Sequence, residues 1–273
     1  MTEKFTSEFR NTLIAMVRNC ECSALPQTIS TLKKRNFLTE EGTLTPQGRQ
    51  TAILFLPLRE QCSALNIEYI EKFVPRFAGR PETEALRQLN ADGYIGSYCE
   101  GGAVLLLIRA AALDLLSKIN TFQDRKDACT RFTEAQLTIH KNHGQEIITA
   151  IRQSTTSRVI DCFTEIYESG MVRECYPGLN KQIIEGLYET IGNDCLAEIA
   201  AAMLEDPYRY RSGWPDLTLT NGSEMFWAEV KTTDKLHENQ ISTLTRMIPL
   251  LPGKIGVNQL KTSTSTINRG TSV

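Results

Sequence analysis

Asp216, Glu229 and Lys231 are the residues of this 273-residue chain whose types and spacing could do chemistry. They lie in GWPDLTLTNGSEMFWAEVK, residues 213–231. Side chains two apart in a strand share a face, so Glu229 and Lys231 point one way while Ala228 and Val230 turn the other. Asn221-Gly222 between two apolar runs is a strong hairpin signal, and pairing the two arms brings Asp216 beside Glu229. Two carboxylates so placed repel. A divalent cation resolves the repulsion, since Mg²⁺ takes one or two carboxylates together with waters and phosphate oxygens. The backbone carbonyl of Val230 is a natural further ligand. The Lys231 ammonium can orient or help deprotonate a metal-bound water, or stabilise charge on a phosphate. This set predicts metal-assisted hydrolysis of a phosphodiester without a covalent enzyme intermediate.

Such a set needs elements to hold it. The region reads as a strand over 216–220, a turn, a strand over 225–231, a helix over about 237–250 and a strand over 255–260. Two helices precede it. LNKQIIEGLYETIG has Ile183, Ile184, Leu187 and Tyr188 as an apolar stripe, and CLAEIAAAMLED is Ala-rich and suited to close packing. Residues 66–170 read as a helical scaffold, with apolar residues at three- and four-residue spacing. His140 and His143 lie there without a third ligand and read as surface residues. Gly93, Gly96, Gly101 and Gly102 punctuate a loop that follows no expected strand, which argues against a phosphate-cradling loop.

Residues 1–65 read as a compact helical unit with a short hairpin. Pro26 suits the first turn of a helix that runs to about Arg35. FLTEEGTLT carries two short arms around Glu40-Glu41-Gly42, and Thr45-Pro46 reads as an N-cap and first helical position. The order resembles a winged helix, whose recognition end would be Lys33, Lys34 and Arg35. The alternative is a unit that docks protein or only supports the fold. Residues 262–273 read as a polar, flexible tail.

The formal net charge of −2 excludes bulk electrostatic capture of nucleic acid, so any such partner must meet local basic patches. Arg209, Arg211 and Lys235, near the candidate chemistry, are candidates for phosphate contact beside Lys33, Lys34 and Arg35. The most apolar run, residues 103–116, is too short to span a bilayer and carries Arg109 and Asp114, so it predicts a buried core helix. The start does not resemble a signal peptide. Eight cysteines without a Cys-x-x-Cys pair, Cys20 and Cys22 alone being close, argue for reduced thiols rather than zinc or disulfides. A cytoplasmic protein is expected, nucleoid-associated or nuclear according to the host cell.

Five elements in order add a resemblance: Gly213, Pro215-Asp216-Leu217, Glu229-Val230-Lys231, Asp234 with Leu236, and Gln240 opening the next helix. Residues 178–260 resemble the virus-type replication-repair nuclease (VRR-NUC) domain of the PD-(D/E)xK superfamily, and the approach LAEIAAAMLEDPYRYRSGWPDL is similar to the Fanconi-associated nuclease branch. The resemblance implies an α/β fold: a C-terminal restriction-endonuclease-like domain over 171–261, preceded by the helical region and the winged-helix-like unit. It implies a structure-selective DNA nuclease that uses Mg²⁺ or Mn²⁺ on flapped, branched or duplex DNA, with a homodimer as one form. By position, Asp216 and Glu229 are metal ligands, Lys231 is the catalytic lysine and Gln240 is the glutamine near the site. The family also has an acid on a helix before the sheet, for which Glu185 is the first choice and Glu198 the second. The ubiquitin-binding finger and helical repeats of the large repair protein have no counterpart in this sequence. Two rival readings stay open: a defence nuclease that degrades foreign DNA or RNA, and a non-catalytic winged-helix DNA-binding protein.

Overall fold

A computed structural model describes residues 5–21, 23–75, 77 and 79–262, with Met171 described by its backbone alone. Of the flexible tail expected over 262–273, Thr262 is instead the last residue of a strand. The rest of that tail and one member of the Cys20–Cys22 pair lie outside the described residues. The other cysteines are free thiols.

The N-terminal unit contains α1 (Ser7–Val17), α2 (Pro26–Lys34), α3 (Pro46–Phe55) and α4 (Leu58–Leu65). Pro26 and Pro46 open their helices because a first-turn N–H has no intrahelical partner to lose. The Thr45 hydroxyl accepts from the Gly48 N–H at 3.0 Å. Leu38 and Leu44 form an isolated antiparallel bridge around Gly42, whose φ of +85° suits glycine. Leu13, Leu32, Phe37, Leu38 and Ala52 form this unit's own small core.

The chain then enters the sheet: β1 (Glu68–Val74), α5 (Pro81–Ala91) and β2 (Ile95–Tyr98). A helical insertion follows, with α6 (Gly102–Ile119), α7 (Arg125–Thr130), α8 (Thr133–Ile139), α9 (Gly144–Gln153), α10 (Thr156–Glu168), α11 (Met171–Cys175), α12 (Lys181–Ile191) and α13 (Asn193–Glu205). The chain returns to the sheet through β3 (Leu217–Thr220), β4 (Met225–Lys231), α14 (Glu238–Met247) and β5 (Lys254–Thr262). The five strands lie in the order β1-β5-β4-β3-β2. The β3–β4 hairpin is antiparallel, and β4 and β5 are parallel through α14, as a helical crossover requires.

The sheet does not respect the expected boundary at residue 170, because β1 and β2 come from the stretch read as helical scaffold. Their sequences are short or weakly alternating, and EYIEKFV buries only Val74 fully. Pairing with β5 and β3, remote in sequence, makes them strands. The apolar run over 103–116 is a buried helix, α6, around which the largest core gathers. Among the described residues no helix is long and apolar enough to cross a membrane. His140 is buried rather than on the surface, and His143 contacts Glu146 at 3.0 Å.

Candidate active site

Hairpin geometry sets the site. Leu217 pairs with Ala228, so the residue before Leu217 falls opposite Glu229. The Val230 N–H donates to Asp216 Oδ2 at 2.8 Å, tying the carboxylate across the hairpin. The Asp216 carbonyl accepts from the Cys99 and Glu100 N–H groups, at 3.0 and 3.2 Å, and so joins β3 to the turn after β2. Trp214 anchors the approach: its indole donates to the Tyr210 carbonyl at 2.7 Å and its ring packs on Trp227. Gly213 has φ +83°, and a Cβ there would lie 2.3 Å from the Asn239 carbonyl oxygen, so only glycine lets this segment touch the start of α14.

The Lys231 ammonium lies 3.0 Å from Glu229 Oε1 and 3.3 Å from Asp234 Oδ2. Gln240 closes a capping box at the start of α14, accepting from the His237 N–H at 3.0 Å, while its amide donates to Glu229 Oε1. These side chains meet in a cavity of about 290 Å³, lined among others by Asp216, Glu229, Val230, Lys231, Asp234 and Gln240.

Electrostatics mark the pair. Burial, with the Glu229 charge behind it, pushes the Asp216 carboxyl up to about 8. Burial also raises Glu229, although the Lys231 ammonium and the Gln240 amide pull it back. Burial alone would lower Lys231, but the Glu229 and Asp234 carboxylates outweigh it and leave it raised. Two carboxyls that resist ionising together are a site short of positive charge.

Two further acids line the same cavity: Glu82, in the first turn of α5, and Glu100, in the turn after β2. The Glu82 charge also raises Asp216. Glu100 has φ +44°, a strained conformation for a non-glycine residue, and accepts a hydrogen bond from the Tyr98 hydroxyl at 2.5 Å. Sequence reasoning passed over both. Pro81-Glu82 before an amphipathic stretch was a signal for a helix start, but nothing local ties that helix to Asp216.

Glu185 lies elsewhere. It sits on α12 beside Gly186, which faces Ile95 and Thr220, at the end of β3 away from Asp216. Glu198 is exposed on α13. Neither lines the cavity.

The basic candidates divide. Lys34 is exposed at the end of α2. Lys33 donates to the Glu40 carbonyl, and Arg35 stacks on Phe5, Phe9 and Phe37. Arg209 donates to the Ser242 hydroxyl, and Arg211 stacks on Tyr208 near Glu134. Lys235 faces inward, donating to the Leu54 carbonyl at 2.6 Å.

Among the described residues no three His, Cys, Asp or Glu side chains already converge tightly enough to hold a metal ion. Asp216, Glu229 and the Val230 carbonyl are a sparse, all-oxygen set. That set fits a small hard cation that keeps several waters.

Almost the whole chain has a structural counterpart. It superposes on the crystal structure of paFAN1 bound to 1-nucleotide 5′-flap DNA with a gap, at a TM-score of 0.55 and 13% identity, over 96% of this chain and 50% of that one. The fold is similar to that of about half of the paFAN1 chain. A second paFAN1 structure, bound to 2-nucleotide 5′-flap DNA with a gap, matches at a TM-score of 0.49 and 14% identity, over 93% of this chain and 55% of that chain. The chain thus spans about half the length of the paFAN1 chains it matches. No family model matches the sequence. No curated protein matches it either. The resemblance to the Fanconi-associated branch, read from residues 178–260, is joined by a similarity in fold to paFAN1 that covers 96% of this chain.

Proposed function

We propose that this chain is a metal-dependent, structure-selective DNA nuclease of the VRR-NUC kind, hydrolysing phosphodiester bonds in flapped or branched DNA. One observation carries the reading: Asp216, Glu229 and Lys231 line one cavity together with Val230, in a fold similar to that of a protein crystallised on flap DNA. Asp216, Glu229 and the Val230 carbonyl would hold a Mg²⁺ or Mn²⁺ ion, with Glu82 and Glu100 at hand for its waters. When bound, the ion supplies Lewis-acid polarisation of the phosphate and acidifies a water.

The remaining work falls to the chain. The Lys231 ammonium orients the attacking water and meets charge on the phosphoryl oxygens as the water oxygen joins phosphorus and the ester oxygen departs. Gln240 fixes the Glu229 carboxylate, and Asp234 fixes the Lys231 ammonium. Lys34, Arg209 and Arg211 are the candidates for contact with the phosphates of duplex arms, which position a substrate without reading its sequence.

The test is cleavage of labelled duplex, 5′-flap, four-way-junction and single-stranded substrates with Mg²⁺ or Mn²⁺, using wild type, Asp216→Asn and Lys231→Met. Metal-dependent cutting by the wild type alone, strongest on flaps or junctions, supports the reading. Equal degradation of every DNA or RNA offered would favour the defence nuclease. Cutting that survives Asp216→Asn would move the active site elsewhere.

A further inference from the structure

The loop between β4 and α14, residues 232–237, carries Asp234 and His237 and leads into Gln240, yet it lacks regular secondary structure. A loop in that state needs outside partners for its backbone. At its start the Thr232 carbonyl accepts from the Gln259 amide at 2.9 Å. At its end the partner comes from the N-terminal unit. Gln61, on α4, is fully buried. Its Oε1 accepts from the Leu236 N–H at 2.8 Å, and its Nε2 donates to the Leu236 and Ile53 carbonyls, each at 3.2 Å. One side-chain amide therefore satisfies both backbone groups of Leu236, itself fully buried among Ile53, Leu58, Cys62 and Leu65. Beside it, the Lys235 ammonium donates to the Leu54 and Leu56 carbonyls at the end of α3, at 2.6 and 3.4 Å. A buried amide with every partner in place specifies one geometry, because any shift leaves desolvated polar groups unpaired.

We propose that the N-terminal unit is a working part of the cleft, with Gln61 a positioning residue that clamps the loop and thereby sets Asp234 against Lys231 and Gln240 against Glu229. The inference rests on the proposed nuclease reading and gives the N-terminal unit a task besides gripping DNA. Gln61 makes no hydrogen bond to any of these four side chains. It acts through Leu236, which lies between Asp234 and Gln240 in the chain. A displacement on the order of 1 Å at such a distance from the chemistry is enough to slow it by about a hundredfold.

Gln61→Met in the full chain keeps the length and the apolar burial but loses all three hydrogen bonds. The expected result is a folded protein whose kcat on the preferred substrate falls about 10- to 100-fold, the range for groups that orient a site from behind. KM should hold, and amide hydrogen exchange should accelerate across 232–237. Combining it with Asp234→Asn should cost less than the product of the single losses, since both act on one geometry. If Gln61→Met does not fold, Lys235→Met releases the same loop from its other tie and should show the same kcat loss and exchange change. Wild-type kcat in a folded variant, a change confined to KM, or multiplicative losses in the double variant would overturn the proposal. If the wild type itself cuts nothing, the nuclease reading fails instead. The exchange measurement then decides the clamp alone, and unchanged protection at Leu236 in Gln61→Met would sink it.

Discussion

At Asp216 a carboxyl group is held where it resists ionising, next to another that resists as well. Its folded pKa of about 8 lies above its unfolded value near 4. The folded state therefore binds the extra proton between those limits, and stability falls as pH rises from about 4 to about 8. We expect metal-free Asp216→Asn to be more stable than wild type at pH 8.5, by on the order of 2 kcal/mol, with the difference closing toward pH 4. Urea unfolding in a chelator at several pH values measures it, and no gain at pH 8.5 would mean that the carboxyl is not strained. Mg²⁺ or Mn²⁺ at pH 8 should raise the Tm of wild type and leave Asp216→Asn unmoved, since only a site present in the folded state stabilises through binding.

At the scale of elements, one contact frames the cleft and another ties the helical insertion together. Gly213 brings the segment before β3 against the first turn of α14, where a Cβ would overlap the Asn239 backbone. Gly213→Ala is expected to cost about 2 kcal/mol or more, since both the positive φ and the backbone clash oppose it. Thermal unfolding measures the loss. Further away, Asp114 on α6 meets Arg158 of α10 and Arg125 of α7, which together hold its carboxyl well below the usual carboxylate range. A depressed folded pKa contributes stability above the unfolded value near pH 4 and loses it as acid is added. Asp114→Asn should cost about 1 kcal/mol at neutral pH, a modest sum because Asp114 and Arg158 are nearly half exposed, and progressively less toward pH 2. An unchanged difference across that range would show that the bridge is not the cause.

For the molecule as a whole, a net charge of −2 means that the proposed DNA substrate would have to be held by placement of charge rather than by its sum. Lys34 is exposed and Lys235 is committed to main-chain carbonyls of α3, so the two lysines should behave differently. Lys34→Ala should weaken flap binding and reduce the slope of log K against log salt by about 1. Lys235→Ala should leave the slope alone and lower the Tm. The reverse pattern would mean that the N-terminal unit faces away from DNA.

Features set by near neighbours along the chain were legible before any fold was known. The Asn221-Gly222 turn, the Thr45-Pro46 cap, the alternation that puts Glu229 and Lys231 on one face and the apolar α6 all depend on residues a few positions apart. So does the Asp216–Glu229 juxtaposition, because a tight turn fixes register. What depended on distant pairing was not legible. EYIEKFV and IGSY are strands only because β5 and β3 lie beside them, and a long helical insertion hides that β2 belongs with β3. For the same reason the sequence pointed to Glu185 and Glu198, which are near in the chain, and passed over Glu82 and Glu100, which line the cavity. Gln61 carried no local sign at all, since an amide becomes a clamp only when a remote backbone arrives with unpaired groups. The candidate chemistry was thus readable from residue types within one hairpin, and the company those residues keep was decided by tertiary packing.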